Sequence, residues 1–191
     1  MMLLGIDPGL TGAWALLSAT DGSMVAADDL PITRWGKAAW IDPMQLTELL
    51  LPHIGTHTVV AYVEQVHAMP KNGCIAAFSQ GMTMGSVLAS VQVIGASLQL
   101  VQPLAWKTAM GVRGDKSDSG PARKQRSRER ASLMYPKARL SRVKDHNLAE
   151  ALLIARYGYQ LELRGVQHDQ AKIAERETST GLARRLVNGS H

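Results

Sequence analysis

The sequence predicts an α/β fold: a mixed sheet, in which an antiparallel three-strand meander is extended by parallel strands, flanked by helices. Three observations predict it. The first thirty residues hold three short apolar runs, and Asp21-Gly22 between the last two is a hairpin turn signal. From Asp42 onward helical patterns alternate with apolar strand patterns, as in helix-covered sheets. Finally, 191 residues at 46% hydrophobic content suffice for one domain with its own core.

Leu3 to Asp7 reads as the first strand, Ala13 to Ser18 as the second and Met24 to Leu30 as the third. Asp42-Pro43 is an N-cap followed by proline at the first helical position, so a helix is expected from Pro43 to about Leu51. Thr58 to Val63 is apolar and rich in β-branched residues, a buried strand ending at Glu64. A long helix is expected over Ile75 to Ile94, a strand over Leu98 to Val101, and a short helix from Pro103 to Met110. Gly111 to Pro121 is a loop rich in glycine and charge. Ala122 to Met134 reads as a helix with Arg123, Arg126 and Arg130 on one face, ended by Pro136. Asn147 to Tyr159 is the last strongly patterned helix. The expected division is one α/β domain over 1–160 and a peripheral helix or flexible tail over 161–191.

Charge is distributed unevenly. Lys107 to Lys144 carries 12 Lys/Arg against 3 Asp/Glu, or +9, while the whole chain is +5, which leaves −4 for the remainder. A basic segment on a mildly acidic body is the footprint of a polyanion-binding surface. Between Lys71 and Lys107 there is no charged residue. Ser79, Gln80, Ser86, Ser90, Gln92 and their neighbours would leave too many polar groups unsatisfied in lipid. A helix buried against its own sheet and a partner chain is expected instead, with Met84 and Val91 towards the partner. The single cysteine, Cys74, excludes an intrachain disulfide and a cysteine-rich zinc site. No secretory leader is visible, so the expected location is cytoplasmic.

The acids carry the chemistry. Asp7 ends the first strand and is followed by Pro8-Gly9-Leu10-Thr11-Gly12, a turn whose glycines allow close approach of an anionic ligand. A carboxylate beside phosphate needs a cation between them, which points to a divalent metal. Glu64 repeats that logic at the end of another strand. Glu150 interrupts an apolar run on the last patterned helix. His146 lies about 40° from Glu150 around a 3.6-residue helix, and Asp145 about 140°, so Asp145 is the better N-cap. Asp7, Glu64, Glu150 and a partner at 145 or 146 would compose a two-metal site for phosphodiester hydrolysis.

These motifs together resemble the RuvC-type Holliday junction resolvases (crossover junction endodeoxyribonucleases) of the RNase H-like, retroviral-integrase superfamily. Gly5 to Gly12 is similar to the family's opening strand and turn, and Val63 to Gly73 to its second acidic motif. Ser79-Gln80-Gly81 and Gly85 resemble the start of its interface helix. Trp106-Lys107, Gly114-Asp115-Lys116 and Ala131 to Pro136 resemble a block of phage- and organelle-type members. Lys144 to His146 with Ala149 to Leu153 resembles its C-terminal motif. The resemblance runs collinearly over about residues 3–160. It implies an RNase H-like sheet and a homodimer through the helix near 75–94. It implies symmetric nicking of four-way DNA junctions with two Mg²⁺ per site, Mn²⁺ substituting.

Asp7, Glu64 and Glu150 then carry over as metal ligands and catalytic residues, with His146 as the fourth ligand and Asp145 in reserve. Lys116 resembles a lysine near the scissile phosphate. His67 and Met69 stand where members place a side chain that wedges into the junction. Lys71, Asn72, Lys107, Arg123, Lys124, Arg126, Arg128 and Arg130 are candidate DNA contacts. The competing readings are another RNase H-like metal nuclease acting on RNA–DNA hybrids or branched DNA, an actin-like ATPase, and a non-catalytic junction-binding protein. An ATPase needs a second nucleotide-binding half that 191 residues hardly hold.

Overall fold

The computed structural model describes residues 1–36, 38–67, 73–115 and 117–188, with side chains as far as 167. The chain divides into two compact units, Met1–Tyr159 and Gln160–His191. The first contains a five-stranded sheet of β1 (Met2–Asp7), β2 (Ala13–Ser18), β3 (Met24–Asp29), β6 (Val59–Glu64) and β7 (Ser97–Val101). Their order is β3-β2-β1-β6-β7. β1, β2 and β3 pair antiparallel, and β6 and β7 extend the sheet parallel to β1. This is the mixed sheet expected from the sequence, with the hairpin turn at Asp21-Gly22.

The helices are α1 (Pro43–Ile54), α2 (Cys74–Val93), α3 (Pro103–Ala109), α4 (Gly120–Met134) and α5 (His146–Asn188). Asp42 caps α1 by accepting from the Met44 and Gln45 amides. Ser119 caps α4 through the Ala122 amide. α5 extends well past Tyr159, so the segment expected as a peripheral helix or tail is helical to Asn188. One element was not expected. β4 (Ile32–Trp35) and β5 (Ala38–Ile41) form a separate two-stranded hairpin. Their strands have four residues each and lack clean alternation, too little pattern to stand out from a loop.

The core lies between the sheet and α1 and α2, with Leu4, Ile6, Leu16, Leu46, Val63, Val87 and Val91 among its buried side chains. Val91 is therefore an inward residue, and Met84 packs against the same core. Neither faces a partner. Sequence could not tell the two faces of an uncharged helix apart. The outward face of α2 presents Ile75, Phe78, Gly81, Gly85 and Ala89. By length and composition α2 could also cross a membrane, with a mean hydropathy of 1.3 over its most apolar window, only 22% of which is buried within the chain.

α5 closes the opposite side of the sheet. A Cβ on Gly5 would overlap the Ala151 carbonyl oxygen and the Ala155 amide nitrogen, so β1 and α5 touch backbone to backbone. Gly5→Ala must push away the helix that bears Glu150. We expect a destabilisation at or above the top of the roughly 1–3 kcal/mol usual for overpacking. Denaturant unfolding measures it; a loss of less than about 0.5 kcal/mol, the usual range for surface changes, would contradict this packing.

Candidate active site

β1 and β6 lie side by side in parallel, with Ile6 opposite Val63. Asp7 and Glu64 are the next residues on strands about 4.8 Å apart, and both leave the same end of the sheet. The turn after Asp7 is tight. The Gly9 amide donates to the Asp7 carbonyl at 3.0 Å, and the Gly12 amide to the Gly9 carbonyl at 2.8 Å. A side chain on Gly12 would run into the backbone of Asp7 and Gly9, whereas one on Gly9 would meet only ordinary contacts. Gly12 is thus required by the turn's own closure rather than by a ligand.

α3 follows β7 after a single residue and brings two side chains to the acids. The buried Trp106 indole Nε1–H donates to Glu64 Oε2 at 2.6 Å. The Lys107 ammonium stands 3.6 Å from Glu150 Oε2 and 4.9 Å from the Trp106 ring centroid. From α4, the Ser127 hydroxyl donates to Glu150 Oε1 at 3.1 Å. Glu150 is therefore held between a cation and a hydroxyl, and Glu64 by an indole.

The three carboxylates sense one another. Burial, then the charges of Glu150 and Glu64, push Asp7 up to about 8 despite the opposing charge of Lys107. Glu64 is raised by burial, with Lys107 and the Trp106 hydrogen bond opposing and Glu150 adding to the rise. Among the described residues no three His, Cys, Asp or Glu groups close to metal-ligand distance around one point. The donor chemistry nonetheless fits a hard dication: three carboxylates, Asp7 and Glu64 both shifted upward, crowd one end of a sheet with one lysine to offset them.

The other expected residues fall into three groups. His146 and Asp145 sit at the start of α5. The His146 ring Nδ1 is 3.2 Å from the Val143 carbonyl. Asp145 is 2% exposed and accepts from the Arg142 amide at 2.7 Å and Arg142 Nε at 2.8 Å. Burial would raise Asp145, but these bonds and the Arg142 charge together hold it low. Its carboxylate belongs to the helix-start cap, the role its angular position suggested, and not to the acid cluster. Asn147, three residues before Glu150, reaches the active-site turn instead and donates its side-chain amide to the Thr11 carbonyl.

The basic segment is partly committed to its own loop. Arg126 pairs with Asp118 at 2.9 Å, Arg130 Nε donates to the Met110 carbonyl at 3.0 Å, and Arg128 donates to the Arg142 carbonyl at 2.8 Å. Lys107, expected as a DNA contact, is part of the acid cluster. With Arg113, Arg123, Ser127 and Glu150 it lines a cleft of about 290 Å³. Lys124 is exposed, and so is His67. Met69, Lys71, Asn72 and Lys116 lie outside the described residues.

Trp106, Ser127 and Asn147 were not assigned from the sequence. A tryptophan and lysine within the first turns after Pro103, on a short helix that follows a parallel strand, were the available signal for the first. Asn147 stood out only as one of two positions, with His146, where many members of the resembled family carry an Asp, and Ser127 gave no signal, since single hydroxyl groups are ordinary on helices.

The fold is RNase H-like. It is shared with RuvC Holliday junction resolvase structures. The Thermus thermophilus RuvC structure in complex with a Holliday junction substrate is similar with a TM-score of 0.58 and 16% identity, over 85% of this chain and 96% of that one. A second Thermus thermophilus RuvC structure gives 0.45 and 20%, over 83% and 98%. No family model matches the sequence, and no curated protein matches it.

Proposed function

We propose that the protein is a structure-selective endodeoxyribonuclease that resolves four-way DNA junctions by metal-dependent phosphodiester hydrolysis. The observation that carries this reading is the meeting of Asp7, Glu64 and Glu150, electrostatically coupled, at one end of a RuvC-like sheet. Asp7, Glu64 and Glu150 would hold Mg²⁺ or Mn²⁺, with His146 as the fourth ligand. Bound there, the ions supply a nucleophilic water and a Lewis acid for the leaving oxygen. The chain's own groups do the rest. Asp7 gives up its retained proton as positive charge arrives. Lys107, Arg113 and Arg123 offer a cationic wall to the scissile phosphate. The +9 segment supplies sequence-independent affinity for the DNA backbone. Such work places the protein inside the cell, on DNA.

The direct test is incubation with Mg²⁺ and three synthetic substrates: a mobile four-way junction, a fork and a linear duplex. Paired symmetric nicks in the junction support the reading. Equal cutting of the fork or the linear duplex, or binding with no cleavage at any metal concentration, would replace it by one of its rivals.

Resolution of a two-fold symmetric junction calls for two identical sites, which a C2 dimer provides. The uncharged outward face of α2 suits that contact, because it has no charge to desolvate and its small residues permit close helix approach. Gly85 is exposed and open: among the described residues, no neighbouring atom lies within 4 Å of where its Cβ would stand. Gly85→Arg should fold, put like charges across the axis and yield a monomer that nicks one strand without coordination. Sedimentation of the wild type as a monomer at micromolar concentration, with full junction cleavage, would defeat this.

A further inference from the structure

Trp106 touches Glu64 directly and Glu150 through Lys107. Its indole N–H holds Glu64 at 2.6 Å, and its ring face lies 4.9 Å from the ammonium that pairs with Glu150. The ring is fully buried, while Lys107 and Glu64 each remain partly exposed. α3 begins at Pro103, one residue after β7, and β7 pairs with β6 so that Val101 lies opposite Glu64. The helix start is thereby fixed relative to the carboxylate it serves. A carboxylate carrying one strong hydrogen bond on Oε2 keeps Oε1 as its free donor and loses rotational freedom. A lysine over an indole face is likewise restrained.

We propose that Trp106 is a positioning residue for the metal site: its N–H fixes which Glu64 oxygen faces the ion, and its ring holds Lys107 at Glu150. This rests on the nuclease reading above and deepens it. The bond predicts a specific chemistry. Phenylalanine keeps the apolar bulk and the cation–π face but removes the N–H. A Glu64 carboxylate without that partner is free to turn, and outer partners of this kind are worth about 10–100-fold in metal affinity.

The test is Mn²⁺ binding followed by calorimetry on the wild type, Trp106→Phe and Glu64→Gln, without DNA. Trp106→Phe is expected to weaken binding about tenfold, with an unchanged circular dichroism spectrum. Junction nicking by the variant should be lost at limiting Mn²⁺ and recovered at saturating Mn²⁺. A merely structural tryptophan would not give recovery by metal. The wild type adds a spectroscopic arm that needs no fold-sensitive core variant. Terbium(III) bound at the site should show emission sensitised by tryptophan excitation, and Glu64→Gln should remove it. Wild-type Mn²⁺ affinity in folded Trp106→Phe, or absence of sensitised emission from terbium shown by calorimetry to be bound at the carboxylates, would overturn the proposal. If the wild type itself binds no Mn²⁺, the nuclease reading fails, a result distinct from either of these.

Discussion

Asp7→Asn and Glu64→Gln are each expected to abolish junction cleavage and leave junction binding largely intact. On the proposed reading, each removes a carboxylate oxygen ligand from a site where a bound metal would offset transition-state charge. The loss is several kcal/mol of stabilisation, or roughly 10³-fold or more in rate. Affinity arises elsewhere, from a segment in which 12 basic residues face 3 acidic ones. Neither change adds negative charge beside Lys107, so neither should weaken the attraction of the surface for phosphate. Gel-shift affinity in the presence of chelator and single-turnover nicking in Mg²⁺ are the two measurements. Glu150→Gln belongs with them, since Glu150 is placed by the same Lys107 that serves the cluster. Near wild-type nicking by either Asp7→Asn or Glu64→Gln would remove the acid cluster from the chemistry altogether.

The parts of this site that were legible in the sequence are those delivered by a strand. Asp7 and Glu64 each close an apolar run, so their strand-end placement follows from the pattern alone, and parallel neighbours bring strand ends together. Glu150 stood out because an acid interrupted a helix that is otherwise buried. What sequence left open depends on side-chain direction. Asp145 and His146 are adjacent, and a difference of one residue decides between a carboxylate capped by Arg142 and a ring set against the Val143 carbonyl. The two faces of α2 have the same uncharged composition, so Val91 could not be told from Ala89 before packing chose between them. Arg126 and Arg130 look like any basic helix face until the folded loop at Asp118 and the helix end at Met110 provide partners. Charge patterning gives a surface its sign; it does not say which cations are already committed.

Metal-free protein should lose stability as pH rises, and Asp7 should be a principal cause. Its carboxyl titrates near 3.8 when unfolded and about 8 when folded. Below 3.8 both states hold the proton and the group contributes nothing. Between 3.8 and about 8 the folded state holds a proton that the unfolded state has released, so each rise in pH favours unfolding. Above about 8 the penalty is complete and levels off. Asp7→Asn carries no such group, since its amide does not ionise. The melting-temperature gain of Asp7→Asn over the wild type should therefore be small near pH 4, grow through pH 6 and reach its maximum by about pH 8. Glu64, also raised, adds a shallower trend of the same sign that both proteins share. Added Mg²⁺ should reverse the order at pH 8, because a ligand that binds only the folded wild-type site stabilises that state by mass action. Melting curves of both proteins from pH 4 to 9, with chelator and with Mg²⁺, give the whole comparison. A pH-independent difference between them would show that Asp7 is ionised throughout, and that burial and its two carboxylate neighbours do not act on it as the structure implies.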